Sequence, residues 1–234
     1  MKVLVIVPAH NEDKSILRVI NKLIVDCPTI DYIVINDCSS DETEKVLNNN
    51  NINHITLPVN LGIGGAIQTG YKYAVANGYD VAVQIDGDGQ HDTKYILDVL
   101  KPIEEGKADL VIGSRFITKE GFQSSKMRRT GIRFLKVLIR LLCGIKINDT
   151  TSGFRATSKE LTKYYSLHYA QDFPEPEAIV AAIVNGFTIL EVPVVMFERM
   201  DGKSSIRASK SLYYMIKVSL AICLCRMSLK RKKR

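Results

Sequence analysis

The chain is poor in the features that place a protein quickly. Its 234 residues include five cysteines and no CxxC pair. An odd, scattered set argues against both a disulfide framework and a zinc site. No internal repeat is visible, and the length suits one α/β domain with a C-terminal appendage. No clean run of about 20 apolar residues is present to span a membrane. The opening, Met1 to Pro8, breaks too early for a signal peptide and reads as a first strand, so a reducing cytoplasm is the expected compartment. Net basic charge is also scarce over most of the chain. The net charge is +7, but six Lys or Arg fall between Arg226 and Arg234. A nucleic-acid binder would spread that charge over a face of the fold, so no nucleic-acid partner is expected.

What is present is apolar sequence, 46% of the residues, enough for a full core. In the first half, short β-branched runs at Val3–Val7, Tyr32–Ile35, His54–Leu57, Val81–Ile85 and Asp109–Ile112 read as strands. Helical patterns at Ser15–Val25, Glu42–Leu47, Ala66–Ala76 and Tyr95–Glu105 alternate with them. That order predicts a mostly parallel sheet with helices on both faces. Ligands gather at the carboxyl ends of such strands. The residues that follow them are Pro8-Ala9-His10-Asn11-Glu12, Asn36 to Asp41, Asp86 to His91, and Gly113-Ser114-Arg115.

Three of these turns carry chemistry. In Asp86-Gly87-Asp88-Gly89-Gln90-His91, two carboxylates with glycine between them can approach one diphosphate through Mg²⁺ or Mn²⁺, hard cations that prefer oxygen ligands. The plain alternative is a strand-ending turn with solvated acids. Asp41 suits a helix cap, whereas Asp37 comes too early to cap and is a candidate for nucleoside recognition. The Gly62-to-Gly65 turn suggests a dinucleotide site, but its third small position falls on Ile67. Close packing of helix on sheet is the other explanation.

Together these motifs resemble the family 2 glycosyltransferases with the GT-A fold, in particular the dolichyl-phosphate mannosyltransferase-like group. Pro8 to Glu12 is similar to the family's PxYNE element, with His10 for the aromatic. Asn36 to Asp41 resembles DDxSxD, with Asn36 for the first acid. Asn60 to Gly70 resembles NxGxGGAxxTG, and Asp86 to His91 resembles DxDxQH. The resemblance implies that Pro8, Ala9, Asn11, Glu12, Asp37, Gly65 and Gly87 contact a nucleotide-sugar donor, while Asp86, Asp88 and Gln90 hold the metal and diphosphate. It also implies that Ser152 and Arg155, in a DxxSGFR-like element, line the acceptor side, and that Arg199 and Ser204, in an RxxGxS-like segment, close over the donor phosphates. Arg115, Arg128 and Arg129 are candidate anion contacts. The implied reaction is inverting transfer to a polyprenyl-phosphate or glycan acceptor in surface polysaccharide or glycolipid assembly.

A hydroxyl acceptor needs a general base, for which Asp172, Glu175 and Glu177 are candidates, and a phosphate acceptor needs none; Asp88 and Arg155 join Glu175 and Glu177 as the catalytic candidates. Near Met127–Leu142, Arg129, Arg133, Lys136 and Arg140 recur at helical spacing opposite Phe134, Leu135, Leu138, Ile139 and Leu142, a pattern that fits a membrane interface or a surface helix. The apolar pattern Leu212–Leu229, followed by Lys230 to Arg234, suggests an interfacial anchor or a dock for a small membrane protein. The expected division is a catalytic domain over 1–205 and a membrane-associating helix and tail over 206–234. The expected location is cytoplasmic, peripheral on the inner face of the cell membrane. Two rival readings are an NAD(P)-dependent oxidoreductase, suggested by the glycine turn, and a non-catalytic membrane-recruitment module.

Overall fold

The computed structural model describes residues 1–123, 126–172, 174–198 and 211–228. Seven strands form one sheet in the order β3-β2-β1-β4-β6-β5-β7. The first five follow the chain as β1 (Val3–Ala9), β2 (Asp31–Asn36), β3 (His54–Thr56), β4 (Val81–Gln84) and β5 (Leu110–Ser114). Alternation sorts their side chains. From β1, Leu4 and Ile6 enter one core, and Val5 and Val7 enter the other.

Helices cover both faces. On the second face lie α1 (Ile16–Asp26), α2 (Thr43–Asn49) and α4 (Ile96–Glu104). On the first lie α3 (Gly62–Ala76), α5 (Lys126–Cys143), α6 (Lys159–Leu167), α7 (Pro174–Val184) and α8 (Ser211–Ser228). The glycines that open α3 serve packing. A Cβ on Gly64 would fall 2.1 Å from the carbonyl oxygen of Ala170, and one on Gly70 would fall 2.3 Å from an Ile6 methyl. The dinucleotide reading of that turn therefore gives way to close approach of backbone.

The second half departs from strict alternation. β6 (Arg155–Ser158) runs antiparallel between β4 and β5, and β7 (Ile189–Pro193) closes the edge parallel to β5. Neither β6 nor α6 was foreseen, and the long β-rich run at 187–197 shortens to β7 plus a bridge at Met196. On α5, Ile132, Leu135 and Ile139 are buried, but Phe134 is exposed beside Arg133, and Lys136 turns to the Asn148 side chain at 2.7 Å. The basic and apolar residues are thus less cleanly separated than their spacing suggests. In α8, Val218 and Ile222 are buried in the same cluster as the sheet, so its packing is continuous with the domain. Among the described residues, no helix is long and apolar enough to cross a membrane.

Candidate functional site

The antiparallel strand decides the site. β1, β2 and β4 end at one rim, and β6 begins there, with Arg155 opposite Gln84. The Asp149–Arg155 loop is thereby delivered to the edge that carries Asp86 and Asp88.

The loops after β1 and β2 are tied to each other. The Asp37 N–H donates to the Ala9 carbonyl at 2.8 Å. The Asn11 N–H donates to Ser39 Oγ, and Asn11 Oδ1 accepts from the Ser40 N–H. Asn11 has φ 58°, a left-handed conformation that asparagine tolerates better than most residues. Glu12 is half-buried and accepts from the Ser15 hydroxyl at 2.7 Å. Pro8 and Ala9 are buried and form the floor. Asn36 is fully buried, donating to Thr56 Oγ1 and accepting from the Ser39 N–H, so it shapes the loop from within. Asp37 Oδ1 accepts from the Leu61 N–H at 2.7 Å, tying the second loop to the start of α3. Asp41 accepts from the N–H and hydroxyl of Thr43. Burial pushes its carboxyl pKa up, but these bonds and the Asp13 N–H outweigh burial and hold it below the usual range.

After β4 the chain turns sharply. A Cβ on Gly87 would come within 2.9 Å of the Pro8 carbonyl oxygen. The Asp86 side chain keeps 33% of its surface exposed, whereas Asp88 is 8% exposed with Oδ1 accepting from the Gln90 N–H. His91 supports them from behind. Its Nδ1 accepts from the Asp86 N–H, its Nε2 lies 3.6 Å from the Asp86 carboxylate, and its ring stacks on Phe154. Burial, more than any neighbouring charge, lowers its pKa to about 4, so it is neutral at pH 7 and holds the turn without adding charge. Gln90 donates to the Phe197 carbonyl at 3.4 Å. Gly153 completes the cradle, since a Cβ there would sit 2.8 Å and 3.0 Å from the two Asp86 oxygens.

Two carboxylates at a glycine turn suit a hard divalent cation that takes its remaining oxygens from a diphosphate and water. No group of three or more His, Cys, Asp or Glu positioned for a metal occurs among the described residues. The two carboxylates of the turn fit such a cation.

Several candidates sit differently from expectation. Arg115 is buried and forks onto Asp149, itself 0% exposed, through Nε at 2.7 Å and Nη2 at 2.8 Å. The Asp149 N–H in turn donates to Glu191. Arg115 thus braces the Asp149–Arg155 loop from within. Arg155 is also fully buried. It donates to the carbonyls of Ser152 and Glu175, and the rings of Tyr71, Tyr165 and Tyr169 pack together around its charge. Ser152 is buried, its hydroxyl accepting from the Phe154 N–H. Gly65 lies inside α3 against Leu61. The two glutamates separate: Glu175 is half-buried where it feels the charges of Arg155, Asp86 and Arg128, while Glu177 lines an apolar groove between α6, α7 and α8. Burial raises both carboxyls above their ordinary pKa, for Glu175 against the pull of Arg155. Arg128 is exposed and Arg129 half-buried at the start of α5. Arg199 and Ser204 lie outside the described residues. His91 and the tyrosine cluster escaped the candidate list. The histidine was visible in its motif, whereas the tyrosines, spread from 71 to 169, carry no local signal.

Comparison with known proteins agrees with this geometry. Residues 4–165 match the model for glycosyl transferase family 2. The chain is 29% identical over 228 residues to polyprenol monophosphomannose synthase of Mycolicibacterium smegmatis, spanning 93% of this chain and 86% of that one. It is 34% identical over 209 residues to UDP-N-acetylglucosamine–dolichyl-phosphate N-acetylglucosaminyltransferase of Methanococcus voltae, spanning 81% and 83%. The fold matches that of glucosyl-3-phosphoglycerate synthase from Mycobacterium tuberculosis, crystallised with Mn²⁺, UDP-glucose and phosphoglyceric acid, at TM-score 0.73 and 21% identity over 97% of this chain and 80% of that one. With the family's motifs gathered on one rim of a GT-A sheet, the chain belongs to glycosyl transferase family 2.

Proposed function

We propose that this chain is an inverting glycosyltransferase that moves a sugar from a nucleotide diphosphate to a polyprenyl phosphate at a membrane surface. The observation that carries the reading is the Asp86/Asp88 turn at the carboxyl rim, braced by His91 and abutted by Gly153. The lipid-phosphate acceptor is supported by two relatives whose names specify such acceptors over more than four-fifths of both chains.

In this reading Pro8, Glu12 and Asp37 hold the nucleoside in the cleft between the first two loops. A phosphate oxygen of the acceptor attacks the anomeric carbon as the bond to the diphosphate breaks, and the electron pair leaves with the nucleotide. Asp86 and Asp88 would hold Mg²⁺ or Mn²⁺, which when bound would supply charge to stabilise the departing diphosphate. A phosphate acceptor is already ionised, so no base is required. Arg128, exposed at the start of α5, is the cation assigned to seat it. Glu175 then shapes the acceptor pocket, and Arg155, bound to the Ser152 and Glu175 carbonyls, fixes the distance between the metal side and the acceptor side.

The test is a panel of nucleotide sugars with Mn²⁺ and either polyprenyl phosphate or a soluble glycan. Label transferred to an alkali-stable, acid-labile lipid product is expected, with Glu175→Gln keeping activity within about tenfold. Transfer only to glycan hydroxyls, with Glu175→Gln losing about 10²–10⁴-fold, would replace this reading with base-catalysed polymer elongation.

A further inference from the structure

We infer that Lys22 and Asp26 of α1 are positioning residues: with Asp92 and Thr93 they clamp the exit of the Asp86–His91 turn and so set its affinity for the cation. This rests on the metal-assisted reading above. The entry of the turn is held by the sheet, because β4 is paired on both sides, to β1 and to β6. The exit is not. After His91 the chain leaves through Asp92 into a short 3₁₀ turn, Thr93–Tyr95. Among the described residues, backbone pairing of Gln90 and His91 to another segment is limited to the bridge between His91 and Met196 and the Phe197 N–H on the Gln90 carbonyl.

One face of α1 supplies the missing support. Arg18, Lys22 and Asp26 recur four residues apart in the sequence, so they lie one above the other on the helix. That face meets the turn, since a Cβ on Gly89 would lie 3.4 Å from Arg18 Nη2 and 3.6 Å from a Val19 methyl. Further along, Lys22 Nζ donates to Asp26 at 2.7 Å, to Thr93 Oγ1 at 3.0 Å and to Asp92. Those three bonds use every proton of the ammonium. The Thr93 hydroxyl donates in turn to Asp26, which closes a ring. The Asp26 and Asp92 side chains are only 14% and 13% exposed. Without Lys22, two carboxylates that now share one cation would be left poorly solvated and would repel each other. The route from there to the cation is short. Asp92 adjoins His91, whose Nδ1 accepts from the Asp86 N–H, and it also caps the 3₁₀ turn by accepting from the Lys94 N–H. A shift of Asp92 would carry His91 with it and loosen the backbone that aims Asp86. The Lys159–Asp80 pair, 60% and 41% exposed at the opposite end of β4, stands away from the turn and serves as the control.

The test is Mn²⁺ binding to the full chain, read from the electron paramagnetic resonance signal of the free ion with UDP present, beside UDP binding without metal. Lys22→Met is expected to weaken Mn²⁺ binding about 10–100-fold, the usual cost of losing a partner in the outer shell of a metal site. UDP affinity in the absence of metal should be unchanged. The Mn²⁺ concentration that half-activates donor hydrolysis should rise in step, with a smaller effect on kcat at saturating Mn²⁺. Lys22→Arg should restore Mn²⁺ binding, because a guanidinium can bridge the same two carboxylates, and Lys159→Met should change neither measurement. If Lys22→Met does not fold, Thr93→Val, of similar shape, breaks the ring without removing the cation and should weaken Mn²⁺ binding in the same direction. Parental Mn²⁺ binding in the folded variants, or equal losses of Mn²⁺ binding and metal-free UDP binding, would overturn the inference: the ion pairs would then serve stability alone, and the catalytic reading would stand. A parent chain that binds UDP but takes up no Mn²⁺ would instead remove the cation from the catalytic reading, and the clamp's role with it.

Discussion

The two sides of the catalytic rim are built differently. On the proposed donor side, the loops after β1, β2 and β4 are held by short bonds between backbone and small polar side chains, as in Asn11 with Ser39 and Ser40. Their key carboxylate, Asp86, stays open to solvent. On the proposed acceptor side, Arg115, Asp149 and Arg155 are buried, and their charge is consumed inside the protein. Charge kept at the surface serves ligands, while charge buried with a full set of partners serves shape, because breaking such a pair leaves an uncompensated ion in a low-dielectric interior.

The sharpest way to break this comparison is Arg115→Met. If the Arg115–Asp149 pair is structural, urea unfolding should show a loss of about 3–5 kcal/mol, with nucleotide affinity of the folded fraction little changed. A variant that unfolds like the parent but no longer saturates with acceptor would return Arg115 to the anion-contact role. Asp88→Ala tests the opposite side. Transfer should fall on the order of 10²–10³-fold with the melting temperature kept, since metal stabilisation of the leaving group contributes several kcal/mol to the barrier. Manganese-enhanced UDP binding, followed by calorimetry, should disappear with it. Retention of that enhancement would move the metal elsewhere.

Gly64→Ala probes the α3 turn. Its Cβ would press on the backbone oxygens of Ala170 and Gln171, so stability should drop by about 1–3 kcal/mol, as overpacking does. If stability holds and only the donor KM rises, the turn binds phosphate instead. The smallest effect is expected at Glu177. Burial raises its carboxyl pKa in the folded protein, so the protonated form is favoured there. The fold is therefore relatively more stable at low pH and loses that advantage as pH rises through the carboxylate range. Glu177→Gln should raise the melting temperature slightly at pH 7.5 and leave it unchanged near pH 3. A fall at pH 7.5 would show that the carboxylate has an ionic role in its groove.

The donor side could be read before the structure because its information is local. Asp86-Gly87-Asp88 follows a β-branched run directly, and a parallel strand must end where ligands gather. Gly65 was expected at the donor by motif position, and in the structure it lies inside α3 against Leu61, since a motif names a residue without fixing its direction. On the other side, Ser152 and Arg155 were expected to line an acceptor, and Arg115, Arg128 and Arg129 to contact anions. The arrangement there depends on contacts across long stretches of chain: Arg115 with Asp149, Arg155 with the Glu175 carbonyl, and tyrosines 71, 165 and 169 around one guanidinium. None of these spacings has a period.

The alternation of β-branched runs with amphipathic helices was enough to determine an α/β sheet and the donor motifs on its carboxyl rim, because side-chain periodicity reports which faces are buried. Only tertiary structure decided that β6 enters antiparallel, bringing Gly153 against Asp86, and that Glu175 and Glu177 part to opposite sides of α7. The reason is physical: strand direction and the pairing of buried charge are settled by packing between segments far apart in sequence, and no local pattern encodes them.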